Sequence, residues 1–81
     1  MSRPTPPSLS TLATGRRAHV TALALAEREA SWQRAVGLGE CVDVTVLRRA
    51  PFGGPLHLRT GAGAELAVDL ALARHVEVKE A

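Results

Sequence analysis

The sequence predicts a mainly β domain, a small and highly curved barrel of five short strands. One short amphipathic helix stands between strands one and two, and a helical turn precedes the last strand. Three observations carry this expectation. Apolar and polar residues alternate with a period of two in segment after segment, the pattern of half-buried strands. Gly- and Pro-containing turns separate those segments. The chain has 81 residues, 46% of them apolar, with Trp32 and Phe52 its only aromatics and no Ile or Tyr. Its core must be assembled from Ala, Leu and Val, and a chain this short buries only about 60% of the surface it exposes unfolded.

Residues 1–14 are rich in Pro, Ser and Thr, with too little apolar surface to offset the entropy of ordering. They read as a flexible N-terminal tail, with the barrel occupying residues 15–81; the alternative is a short turn that docks Leu9 and Leu12 on the core. "RRAHVTALAL" (16–25) is strand one, with Ala18, Val20 and Ala22 inward and His19, Thr21 and Leu23 outward. "AEREASWQRAVG" (26–37) holds good helix formers, and Leu25, Trp32 and Val36 share a stripe at 100° per residue. Gly37 ends this helix as its C′ residue.

"CVDVTVLRR" (41–49) is the clearest strand, with Val42, Val44 and Val46 inward and Asp43, Thr45 and Leu47 outward. "PLHLRT" (55–60) places Leu56 and Leu58 inward, His57 and Arg59 outward. Between them "APFGGP" forms a tight or bulged hairpin in which Gly53 and Gly54 supply the unusual dihedral angles. After the turn "GAGA" (61–64), Leu66 and Val68 mark strand four. Asp69 is suited to N-cap a single turn, "LALARH", and Val76 and Val78 mark strand five. No internal repeat or second domain is visible.

Several function classes find little support. The lone Cys41 excludes an internal disulfide and fits a reducing, cytoplasmic setting. It reads as a small, half-buried side chain. The N-terminus lacks the apolar segment of a secretion signal, and no run approaches the roughly 18 apolar residues of a membrane span. Net charge is +2, but the arginines are interleaved with acids and form no polybasic block. Nucleic-acid binding by stacking needs aromatic platforms that two aromatics barely provide. His19, His57 and His75 have no partner at metal-ligand spacing; His57 and His75 are weak metal candidates, each needing a nearby carboxylate. No nucleophile–base pair and no phosphate loop can be read, so no catalytic residue is assigned and the chain is not expected to be an enzyme.

Two residues invite a partner. Trp32 on the helix reads first as a lid over one end of the barrel. Phe52, at a hairpin tip, either folds back as a cap or stands out as an anchor, and exposed aromatic anchors dominate binding energy when they find a pocket.

The segments "GRRAHVTAL" (15–23), "AVGLGECVDVTVLRRAPFGGPLHLRT" (35–60) and "ELAVDLALARHVEV" (65–78) together resemble the FeoA family, small cytosolic SH3-like barrels. The most specific part is "VGLGECVDVTVLRRAPFGGPL". Two departures stand out. Cys41 occupies a position where the family usually has glycine, so the turn into the valine strand is expected to differ in its backbone angles. "GGP" stands where Gly-Asp-Pro is frequent, which removes an acid from the tip.

The resemblance implies a non-enzymatic accessory protein of bacterial ferrous iron uptake. Its expected partner is the cytosolic, GTP-binding region of the FeoB membrane transporter, which would hold it at the inner membrane without insertion. Pro51, Phe52 and Leu56, with Trp32, are the expected contact residues. No cofactor is required by this reading. The rival reading is a small sensor or delivery protein binding Fe²⁺ or Zn²⁺ directly. Related domains also occur at the C-terminus of metal-dependent repressors, but this chain has no helix-turn-helix. Strand edges without obvious charge protection leave a homodimer open.

Overall fold

The computed structural model describes residues 7–80. A 3-10 turn at Leu9–Thr11 is followed by β1 (Arg17–Leu23), α1 (Glu27–Ala35), β2 (Asp43–Arg49), β3 (Leu56–Thr60), β4 (Glu65–Val68), α2 (Leu70–Ala73) and β5 (Val76–Glu80). The strands form one antiparallel sheet in the order β4-β3-β2-β1-β5. Val20, Val44, Val46, Leu56, Leu58 and Val76 point to its concave side and are fully buried. The predicted strands and the helix between the first two are thus all present.

Two irregularities bend the sheet. In β1, Val20 pairs with Val78 but Ala22 pairs with Glu77, leaving Thr21 as an extra residue whose hydroxyl donates to the Glu77 carbonyl at 3.1 Å. In β2, Val46 pairs with Leu58 and Arg48 with His57, leaving Leu47 extra. Such bulges increase the local right-handed twist, which a sheet of only five strands needs in order to curl round a core. They also break strict alternation. Leu23, expected outside, packs against the core instead.

The N-terminal boundary expected at residue 15 is corrected by the packing of residues 8–12. Leu9 and Leu12 are both buried in the core cluster, which is the docking alternative. Side chains three residues apart stack on a 3-10 turn, so two leucines at this spacing present one apolar face. The backbone is tied at several points. The Val78 N–H donates to the Pro7 carbonyl at 3.0 Å and the Thr11 hydroxyl to the Ser8 carbonyl at 2.9 Å, while Ser8 forms a bridge with Glu77. The Arg49 guanidinium donates to the Ser10 and Leu12 carbonyls. The first six residues of the expected tail lie outside the described residues.

The helix departs from expectation in the other direction. Its end is as predicted: the Leu38 N–H donates to the Gln33 carbonyl at 2.8 Å and the Gly37 N–H to the Arg34 carbonyl at 3.1 Å, with Gly37 at φ +104°. This is the paired bonding of a Schellman stop, and it delivers Leu38 into the core fully buried. The buried residue of α1 itself, however, is Ala30. At about 100° per residue, Trp32 lies about 200° round from Ala30, on the outer side, and is 64% exposed. Val36 is exposed as well. Trp32 is therefore not a core lid; the large apolar side chain that this region buries is Leu38.

Asp69 occupies the N-cap of α2 as expected, but its side chain makes no capping bond.

Candidate partner-binding site

The β2–β3 connection is closed by two backbone bonds, Ala50 N–H to the Pro55 carbonyl at 3.0 Å and Gly54 N–H to the Pro51 carbonyl at 3.2 Å. The two residues inside the inner bond have positive φ, +59° at Phe52 and +73° at Gly53, the sign pattern of a type I′ turn whose twist matches that of the flanking strands. Gly54 plays a different part: a Cβ there would lie 2.7 Å from that of Ala50, so its lack of a side chain lets the two arms close. One of the two unusual dihedrals assigned to the glycines thus falls on Phe52.

Phe52 is fully exposed. It does not fold back over the barrel, and the left-handed conformation of a residue with a side chain costs about 1–2 kcal/mol. No burial among the described residues offsets that cost. Pro51 beside it is exposed too. The tip leans toward α2, since a Cβ on Gly53 would sit 4.0 Å from Leu70 Cδ2. Leu56 does not contribute to this surface: it pairs with Arg49 and Val68 at the first position of β3 and points inward, 1% exposed. The expected patch therefore consists of Pro51 and Phe52 without Leu56. Trp32 borders a separate shallow groove lined by Arg28, Glu29, Ser31 and Ala35, all residues of α1; no tip residue lines it.

The histidines are dispersed. His57 is half-buried at the second position of β3, opposite Arg48 and Ala67. His75 is exposed in the turn before β5. The strands carrying or following them, β3 and β5, are separated in the sheet by β2 and β1. His19 and His57 are likewise on strands that β2 keeps apart, and His19 Nδ1 lies 2.9 Å from Asp43 Oδ1. Among the described residues no three His, Cys, Asp or Glu side chains gather as metal ligands.

Cys41 is exposed rather than half-buried, and its φ of +68° is left-handed. The backbone angle expected of a glycine is thus retained, and the cysteine adopts it. The turn holding Cys41 is tied to α1 by Arg34, whose Nε and Nη2 reach Glu40 Oε1 and Oε2 at 2.9 Å each while Nη1 reaches Glu27 at 3.2 Å. The fork of hydrogen bonds from Arg34 lowers the Glu40 carboxyl to about 2 and raises the guanidinium in return. Sequence reasoning missed this clamp. Its only trace was an arginine and a glutamate flanking a Gly-Leu-Gly turn.

The strand order, the bulged β1 and β2 and the short turn before β5 define a small SH3-like barrel with a projecting hairpin. The FeoA domain family model matches residues 8–80, and the chain belongs to the FeoA family, which is associated with ferrous iron transport. That match starts at Ser8, where the packing also places the start of the domain. Among solved structures, the FeoA protein from Chlorobium tepidum superposes with a TM-score of 0.83 at 28% identity, over 91% of this chain and 70% of that one. FeoA from Stenotrophomonas maltophilia, solved with zinc and described as a procaryotic SH3 domain protein, superposes with a TM-score of 0.72 at 25% identity, over 90% and 89% of the two chains. A manganese-dependent transcriptional repressor shares the fold at 22% identity and a TM-score of 0.82, this chain spanning 39% of it. A comparison with curated proteins found no match. No helix of the described residues is long and apolar enough to cross a membrane.

Proposed function

We infer that this protein is a non-enzymatic binding module of ferrous iron uptake that contacts the cytosolic GTP-binding region of a FeoB-type transporter through the tip of the β2–β3 hairpin. On this reading it works in the cytoplasm, at the membrane only through its partner, and needs no cofactor. The single observation that carries it is Phe52: the one phenylalanine of the chain is fully exposed on a turn that strains it. Folding gains nothing from that placement, whereas an aromatic anchor entering a partner's pocket gains substantially. Membership of a family associated with ferrous iron transport supports the choice of partner.

Calorimetry of the purified protein with the isolated cytosolic region of FeoB, with and without guanine nucleotide, tests the reading. Saturable heat is expected, and its nucleotide dependence reports whether the GTP state is read. Absence of binding, together with saturable heat when Fe²⁺ is added to the small protein alone, would favour direct metal binding instead.

A further inference from the structure

The convex face of the sheet holds a feature that the hairpin tip does not use. Register aligns Arg17 of β1, Thr45 of β2, Arg59 of β3 and Glu65 of β4 in one row across four strands. Adjacent strands lie about 4.8 Å apart, so the Cα atoms of Arg17 and Arg59 are separated by roughly 10 Å. The short Thr45 lies between them and leaves a saddle lined by Arg17, Asp43, Thr45, Arg59, Thr60 and Gly61.

The charges there are out of balance. Three arginines elsewhere are engaged, Arg16 with Glu80, Arg34 with Glu27 and Glu40, and Arg49 with backbone carbonyls, while Arg28 on α1 and Arg74 after α2 stand singly and outside the row. Arg17 and Arg59 form no ion pair among the described residues. Arg48, exposed one row nearer the tip and opposite His57, forms none either. Against these cations stand Glu65, which faces Arg59 across the strands without closing to ion-pair distance, and Asp43, whose Oδ1 is taken up by His19.

We propose that the saddle between Arg17 and Arg59 binds carboxylates of an acidic polypeptide segment of a partner protein. Two guanidinium forks on either side of a hydroxyl match the geometry of carboxylate oxygens, which arginine engages in bidentate fashion. The face carries no aromatic on which a base could stack, so a protein segment fits it better than a single-stranded nucleic acid. The row lies at the end of the β2–β3 hairpin away from its tip. It is a second contact surface, independent of Phe52.

The test titrates the protein with a short poly-glutamate peptide at low salt and follows backbone amide shifts. Shifts centred on Arg17, Thr45 and Arg59 are expected, with binding that weakens as salt is added. Arg17→Gln and Arg59→Gln should each weaken binding about fivefold, the scale of an exposed charge pair. Asp43→Asn should strengthen it. Arg28→Gln on α1, which removes the same charge elsewhere, should leave it unchanged. Equal weakening by Arg28→Gln, shifts scattered over the surface, no binding of the peptide, or tighter binding of an oligothymidine of equal length would each overturn the proposal. The side chains are exposed, so the amide spectrum of each variant also verifies its fold.

Discussion

Residues 8–12 and helix α1 exchange the roles that their compositions assign them. The first is rich in Ser and Thr and looks like a tail, yet it contributes two leucines to the core, forms a β-bridge with Glu77 of β5 through Ser8 and accepts hydrogen bonds from Arg49. The second has an apolar stripe, yet it places a tryptophan in solvent and buries an alanine. The difference lies in what each leaves for its neighbours. A single-turn segment with leucines three residues apart closes the core on the β5 side without a full helix. Helix α1 is anchored chiefly at its C-terminus, where Gly37 and Arg34 deliver Leu38 inward, and its outer face stays free.

The sharpest break of this comparison is Leu9→Ala. Truncating a fully buried leucine costs about 2–5 kcal/mol, so the variant should lose a large share of the stability of so small a domain in urea unfolding; a cost near zero would restore the tail reading. Cys41→Gly should act oppositely. Relieving a left-handed side chain is expected to raise stability by about 1 kcal/mol, read as a higher midpoint of unfolding. Trp32→Ser should change stability by no more than about 0.5 kcal/mol, as for other exposed positions away from special features, whereas a core lid would cost several times that.

The smallest effect concerns the Arg34–Glu40 clamp. The Glu40 carboxyl is lowered in the folded state to about 2, so its contribution is present above the carboxyl's ordinary range and is lost as pH falls through the folded value. The difference in melting temperature between the wild type and Glu40→Gln should therefore shrink from neutral pH toward pH 2. It should also shrink in high salt, because both groups are solvent-exposed.

Much of the fold was legible because it rests on local chemistry. The alternating valines of β2 can bury one face only as a strand, and Gly37 is suited to stop α1 because it tolerates a positive φ. What alternation could not show were the bulges at Thr21 and Leu47, which depend on the register between strands distant in sequence and which turn Leu23 inward. The site was legible in part. Phe52 stood out as an aromatic in a turn, but that it would take the left-handed angle assigned to Gly54 depends on how closely Ala50 and Gly54 approach across the hairpin. Leu56 is expected both inward by alternation and among the contact residues; the two are incompatible, and pairing with Val68 keeps it inward. The row of Arg17, Thr45 and Arg59 is visible only once three strands are aligned.

The central claim is that Phe52 is an anchor kept outside the fold for a partner. Phe52→Gly tests it most directly, because glycine accepts the left-handed turn and removes a side chain that is fully exposed. Calorimetry against the cytosolic region of FeoB should show a variant at least as stable as the wild type that binds at least about tenfold more weakly, as loss of an aromatic hot spot would cause. A stable variant that binds as tightly as the wild type would contradict the account.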